Sequence, residues 1–172
     1  CSFGSADDSY AFRMMDIFKK SEINFISCPT ENVYLQGRQD TYPKRRGLTR
    51  VKEFIEYGIN VAFAQDSIND PWYPMGNGNM MNILDNGIHL AQIMSSDDVK
   101  TNFDLITYNG ARCMNIQDSY GLEVGKAANF IVLNEDSVYE AIRKRVDVLA
   151  SVRNGDFLFR RKEMAYSIPL SL

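Results

Sequence analysis

Asp66 is the residue best placed to do chemistry. It follows Val61, Ala62, Phe63 and Ala64, a near-continuous apolar run of the kind expected in a strand covered on both faces. In parallel α/β folds, functional residues collect where strands end and loops begin. A carboxylate there can ligate a divalent metal and take a proton from water that the metal activates. The competing reading is a turn or helix cap, because residues 66–71 are rich in turn formers. Trp72 follows Pro71 in the same loop. Its indole can stack on a flat heteroaromatic ring, or simply pack the loop down.

Other reactive side chains are sparse. His89 is the one histidine, so the chain cannot by itself build a histidine-rich metal site. Lying between Ile88 and Leu90 on a helical stretch, it reads as structural or solvated. Cys1, Cys28 and Cys113 are odd in number and scattered, with no CxxC pair. That argues against a disulfide framework or a zinc ribbon and favours a reducing, cytoplasmic setting. Cys28 and Cys113 read as core-lining thiols. Residues 1–5 lack the basic start and apolar run of a signal peptide.

Composition narrows the classes further. The chain has 172 residues, is 45% apolar and 24% charged, and carries 19 basic against 22 acidic residues, a net charge of −3. It can bury a core, and has no general attraction to nucleic acid or anionic lipid. The basic runs Lys44-Arg45-Arg46, Arg143-Lys144-Arg145 and Arg160-Arg161-Lys162 read as solvated or paired with local acids. No stretch approaches the ~18 apolar residues of a membrane span. Residues 121–127 are one residue too short for a phosphate loop and place Ala127 where Ser or Thr must bind magnesium.

The elements that must position Asp66 follow from local patterning. Asp8 can cap a helix to Lys20, with Phe12, Met15 and Phe18 near helical spacing. Residues 23–26 read as a short buried strand ending at Cys28-Pro29. A polar loop over residues 30–47 is long enough to be functional or mobile. Thr49 can cap the next helix, with Val51, Phe54 and Ile55 inward and Gly58 stopping it. Residues 60–64 form the second strand. Helices are expected over residues 78–95 and 103–115.

Strand, helix, strand implies parallel pairing with a right-handed crossover. Two such strands cannot cover both faces and both edges, and a closed barrel of eight units takes ~250 residues. The class is therefore α/β, and the chain reads as the tail of a barrel. Residues 121–133 read as a turn and a strand, 138–144 as a helix, and 149–160 as a hairpin about Asn154-Gly155.

Longer motifs add a resemblance. Leu35-Gln36-Gly37-Arg38-Gln39-Asp40-Thr41-Tyr42-Pro43-Lys44-Arg45-Arg46-Gly47, then Thr49-Arg50-Val51-Lys52-Glu53, then Asp70-Pro71-Trp72-Tyr73-Pro74, resemble the bacterial cytosine deaminases of the amidohydrolase superfamily. Residues 106–112 and 121–133 are similar to the closing region of that superfamily more generally. The resemblance fades after about residue 155.

It implies a distorted (β/α)8 barrel with a smaller β-rich domain, and metal-dependent hydrolytic deamination using iron or zinc. Asp66 matches the family's aspartate on the final strand, a metal ligand and proton shuttle. Trp72 matches an aromatic residue near the pyrimidine pocket. The family reads His-Asp-Asp where this chain reads Gln65-Asp66-Ser67, so Ser67 stands in a substrate-binding position otherwise held by an acid. The family's metal-site histidines would lie ahead of Cys1.

The expectation is the C-terminal part of a metal-dependent hydrolase barrel plus a small β-rich segment. Residues 1–118 would be the last two barrel units and residues 119–172 part of the small domain. The complete enzyme would deaminate cytosine or a related aminopyrimidine with a divalent metal that this chain alone does not bind. The implied partners are a pyrimidine-like small molecule and either a second copy or an N-terminal half, with no nucleic acid and no membrane. The alternatives are another cyclic amide or triazine as substrate, or a non-catalytic structural or binding remnant.

Overall fold

The computed structural model describes residues 2–162. Cys1 and the last ten residues of the expected β-rich segment lie outside the described residues.

Two short parallel strands organise the first part of the chain. Strand β1 (Phe25–Ser27) pairs with β2 (Val61–Phe63), Phe25 opposite Val61 and Ser27 opposite Phe63. Bonds from Phe25 N–H to Asn60 O and from Ala64 N–H to Ser27 O, both 2.9 Å, extend the ladder at each end. Alternation puts Phe25 on the helix side, where it stacks on Phe54 at 4.4 Å and meets Phe18 edge-on at 5.0 Å. Val61 and Phe63 join the same core. Ile26 points the other way and is 59% exposed. The first strand begins two residues later than expected, and Ile23 is left exposed.

Helix α1 (Asp8–Lys20) buries Ala11 and Met15. Its cap is Asp7, not Asp8: the Asp7 side chain accepts from Tyr10 N–H at 3.0 Å, which leaves Asp8 in the first turn where its charge suits the helix dipole. The stretch expected to be a long loop contains helix α2 (Pro29–Leu35). Pro29 presets its first turn. Helix α3 (Val51–Glu56) is preceded by Arg50, with no side-chain cap. Thr49 is therefore not the cap, and Ile55 faces solvent.

Helix α4 (Met80–Ala91) is capped by Asn79, whose side chain accepts from Met81 N–H at 3.0 Å. Gly87 lets Phe63 pack directly on this helix, since a Cβ there would lie 2.4 Å from the ring. Helix α5 (Ser96–Asn102), absent from the sequence expectation, opens with a Ser95/Asp98 capping box. The helix expected over residues 103–115 is split into a 3-10 turn (Phe103–Ile106) and α6 (Tyr108–Cys113). Thr107 breaks it, with φ −129° and ψ −97°. Its hydroxyl donates to Phe103 O at 2.8 Å, a side-chain bond that competes with the helix.

The last part forms an antiparallel sheet, β3 (Phe130–Leu133), β4 (Val148–Arg153) and β5 (Asp156–Arg160), in that order. Asn154 (φ 52°) and Gly155 (φ 88°) make the hairpin turn. Between β3 and β4, helix α7 (Val138–Lys144) buries Ala141 and Ile142. Arg145, just past α7, bonds Asp85 of α4 at 2.8 Å. Among the described residues no helix is long and apolar enough to cross a membrane.

Candidate active site

Asp66 lies three residues beyond β2, where the backbone has left the strand. Its φ of +67° is left-handed, a conformation that costs a residue with a Cβ on the order of 1–2 kcal/mol and that Asp tolerates better than most. Its flanks are buried while Asp66 itself is exposed. Gln65 is held by a bond from Gly78 N–H to its side-chain oxygen at 3.3 Å.

Ser67 is clamped by Glu31 of α2. The Ser67 N–H donates to one carboxylate oxygen at 2.9 Å, and its hydroxyl donates to the other at 3.0 Å. Gly76 presses on the same residue from the far side, since a Cβ there would lie 2.1 Å from the Ser67 carbonyl oxygen. The expected substrate-binding hydroxyl is thus buried and engaged with a protein carboxylate.

Cys28 directly follows β1 and precedes α2, next to this turn. Its thiol is pushed up to about 11, first by burial and then by the nearby negative charges of Asp66 and Glu31. At neutral pH it is a protonated thiol and not a thiolate.

Trp72 sits on the loop that leaves this turn. Asp70 accepts from the backbone N–H groups of Trp72 and Tyr73, both at 2.9 Å, and this bonding, led by Tyr73, holds its carboxyl below the usual range. The backbone is therefore ordered while the indole is 67% exposed. His89 lies in the last turn of α4 with Nδ1 2.7 Å from Asp85 O, in accord with a structural role. The basic runs behave as local pairs: Arg45 with Asp40, Arg143 with Glu140, Arg161 with Asp147.

Cys28 and Glu31 are the site residues that sequence reasoning missed. The rule that singled out Asp66, a polar group at the carboxyl end of a parallel strand, applies equally to Cys28. Glu31 carried no such signal, because its stretch read as loop. A cavity of about 650 Å³ lies at the opposite end of the strand pair, lined by Asn24, Asn60, Lys19 and Arg112 among others. Its position ahead of both strands separates it from this chemistry. Among the described residues no group of three or more His, Cys, Asp or Glu could hold a metal ion. The exposed Asp66 carboxylate fits one place in such a site, and the protonated Cys28 thiol does not fill another.

The model of the amidohydrolase family matches residues 3–159. The structure of 5-methylcytosine deaminase from Klebsiella pneumoniae liganded with 5-fluorocytosine is 47% identical with a TM-score of 0.95, over 99% of this chain and 41% of that one. N-isopropylammelide isopropyl amidohydrolase of Pseudomonas sp. (strain ADP) is 29% identical over 158 residues, 92% of this chain and 36% of that protein. Pterin deaminase of Rhizobium rhizogenes (strain K84 / ATCC BAA-868) is 24% identical over 161 residues, 93% and 36% respectively. The chain spans about two fifths of the length of the proteins it matches.

Proposed function

The chain belongs to the amidohydrolase family, and we propose that it contributes the closing strand units of a larger barrel enzyme that hydrolytically deaminates cytosine or a 5-substituted cytosine. One observation carries the reading: 47% identity along 99% of the chain to a 5-methylcytosine deaminase liganded with 5-fluorocytosine. In this reading residues 1–118 are barrel units and residues 119–172 part of the small β-rich domain.

The reaction adds water to the ring carbon that bears the amine, breaks that C–N bond and releases ammonia. Asp66 accepts the proton that water loses and returns it to the departing nitrogen. Its exposure at a strand end supports this role. Trp72 supplies an aromatic face to the ring, and Ser67 shapes the pocket from its clamped position. A divalent metal, iron or zinc, with Asp66 as one ligand and the others from further polypeptide, supplies when bound the polarisation that makes water a nucleophile at neutral pH.

A pyrimidine-sized substrate, no nucleic acid, no membrane and a cytoplasmic setting belong to the same proposal, the free thiols of Cys28 and Cys113 supporting a reducing compartment. So does association with a second copy or an N-terminal half, which the exposed Ile26 favours. The match to a triazine-side-chain hydrolase favours a second reading, the same scaffold acting on another ring.

The test is ammonia release by the full-length protein containing this sequence, offered cytosine, 5-methylcytosine, an aminotriazine and a pterin. We expect the cytosines to be turned over and Asp66→Asn to slow them by roughly 10²–10⁴-fold. Preference for the triazine would select the second reading, and undiminished turnover by Asp66→Asn would overturn the role of this carboxylate.

A further inference from the structure

We propose that Glu31 is a positioning residue, whose carboxylate grips both donors of Ser67 and thereby sets the direction of the adjoining Asp66 carboxylate. The inference rests on the function proposed above and extends it to a residue of a different element.

Glu31 is only 5% exposed. A buried carboxylate is costly unless it is compensated, and among the described residues no Lys or Arg pairs with it. Its partners are the Ser67 N–H at 2.9 Å and the Ser67 hydroxyl at 3.0 Å. Two bonds to one residue fix both the position and the orientation of that residue. The nearest upstream backbone is the left-handed turn at Asp66, so fixing Ser67 fixes the plane from which the Asp66 side chain departs.

The arrangement is closed from behind. Gly76 packs on the Ser67 carbonyl so closely that a Cβ would lie 2.1 Å away, which leaves the peptide after Ser67 little freedom to rock. Asp66 itself is exposed, so its direction depends on this backbone. A polar group bought at the expense of burial, and spent on the residue next to a reactive carboxylate, is the pattern of an outer-shell orienting residue.

The experiment uses the full-length protein carrying Glu31→Ala, Glu31→Gln or Ser67→Ala, with Asp85→Asn in the α4 ion pair as a structural control. Turnover, thermal melting and the visible spectrum of the cobalt(II)-loaded protein are measured together. We expect Glu31→Ala to lower kcat roughly 10–100-fold with KM little changed, and to shift the cobalt bands, because the carboxylate reaches the ion at an altered angle. Glu31→Gln, which keeps one acceptor, should recover part of both. Asp85→Asn should lower the melting temperature and leave kcat and the spectrum alone.

If Glu31→Ala proves too unstable to purify, Ser67→Ala decides, since it removes one donor and leaves the carboxylate in place; it should move kcat and the bands in the same direction. Melting losses without a change in kcat or spectrum, while Asp66→Asn is inactive, would overturn this proposal alone. A wild-type protein that neither releases ammonia nor binds cobalt would overturn the functional reading and this proposal with it.

Discussion

The thiol of Cys28 lies close enough to the carboxylate of Asp66 for that negative charge to help raise its pKa, which brings together side chains that follow two parallel strands. The pair makes a prediction that needs no substrate. With its pKa near 11, Cys28 should be alkylated slowly by iodoacetamide at pH 8 and accelerate only in strongly alkaline buffer. Asp66→Asn removes a neighbouring negative charge, so the thiol should ionise at lower pH and react faster than in the wild type. Mass-spectrometric mapping of the label checks this, and an unchanged or slower rate would contradict the pairing. The sign for stability follows. Because burial raises the folded-state thiol from its ordinary 9.0 to about 11, stability is fully present below pH 9 and falls as pH rises towards 11.

Gly87→Ala should be destabilising. The added Cβ would meet the Phe63 ring at 2.4 to 2.8 Å, and Phe63 is buried in the core behind it. Overpacking of this kind costs about 1–3 kcal/mol, against which alanine's better helix propensity recovers at most ~1 kcal/mol. A urea titration reads the net loss as a lower midpoint.

The loop between α2 and α3 is closed by Asp40, which accepts from Arg45 Nε at 2.6 Å and Nη2 at 2.7 Å. That bonding holds the Asp40 carboxyl down at about 2. A depressed carboxylate contributes above its ordinary value of 3.8 and releases its hold as pH falls through 2. Arg45→Gln should therefore raise amide exchange across residues 37–46 at neutral pH. The global melting temperature should barely move, because the pair is exposed and screened by solvent.

The 172-residue chain on its own should neither retain stoichiometric iron or zinc nor release ammonia from cytosine, since one carboxylate does not make a metal site. It should also self-associate through the apolar face that presents Ile26. Light scattering of the wild type and of Ile26→Lys tests the second point, with the variant expected to be smaller and no less stable.

Much of the architecture is local and was readable as such. The span of α7, Val138–Lys144, follows from its own short amphipathic pattern and the Ser137 cap. The Asn154-Gly155 turn follows from the positive φ that those two residues tolerate. The apolar run of β2 announced a covered strand, and the strand-end rule then pointed to Asp66. Helix α2 was not readable. Seven residues with Thr30, Glu31 and Asn32 in the first turn look like a loop, because no apolar stripe repeats within so short a span. Packing against α4 is what makes it a helix.

The sequence by itself determined the α/β class, the family resemblance and the placement of Asp66 after the second strand. Those properties rest on near-neighbour spacing and on runs of residues that can be read in order. Only the tertiary structure decided that Ser67 is bound by Glu31, and that Cys28 is a thiol with a raised pKa beside the Asp66 charge. Glu31 and Ser67 are 36 residues apart. Their meeting depends on β1 and β2 pairing in parallel register, which brings both strand ends to one side. Hydrogen bonds between such distant residues leave no periodic trace along the chain, because direction and distance exist only after the strands have paired.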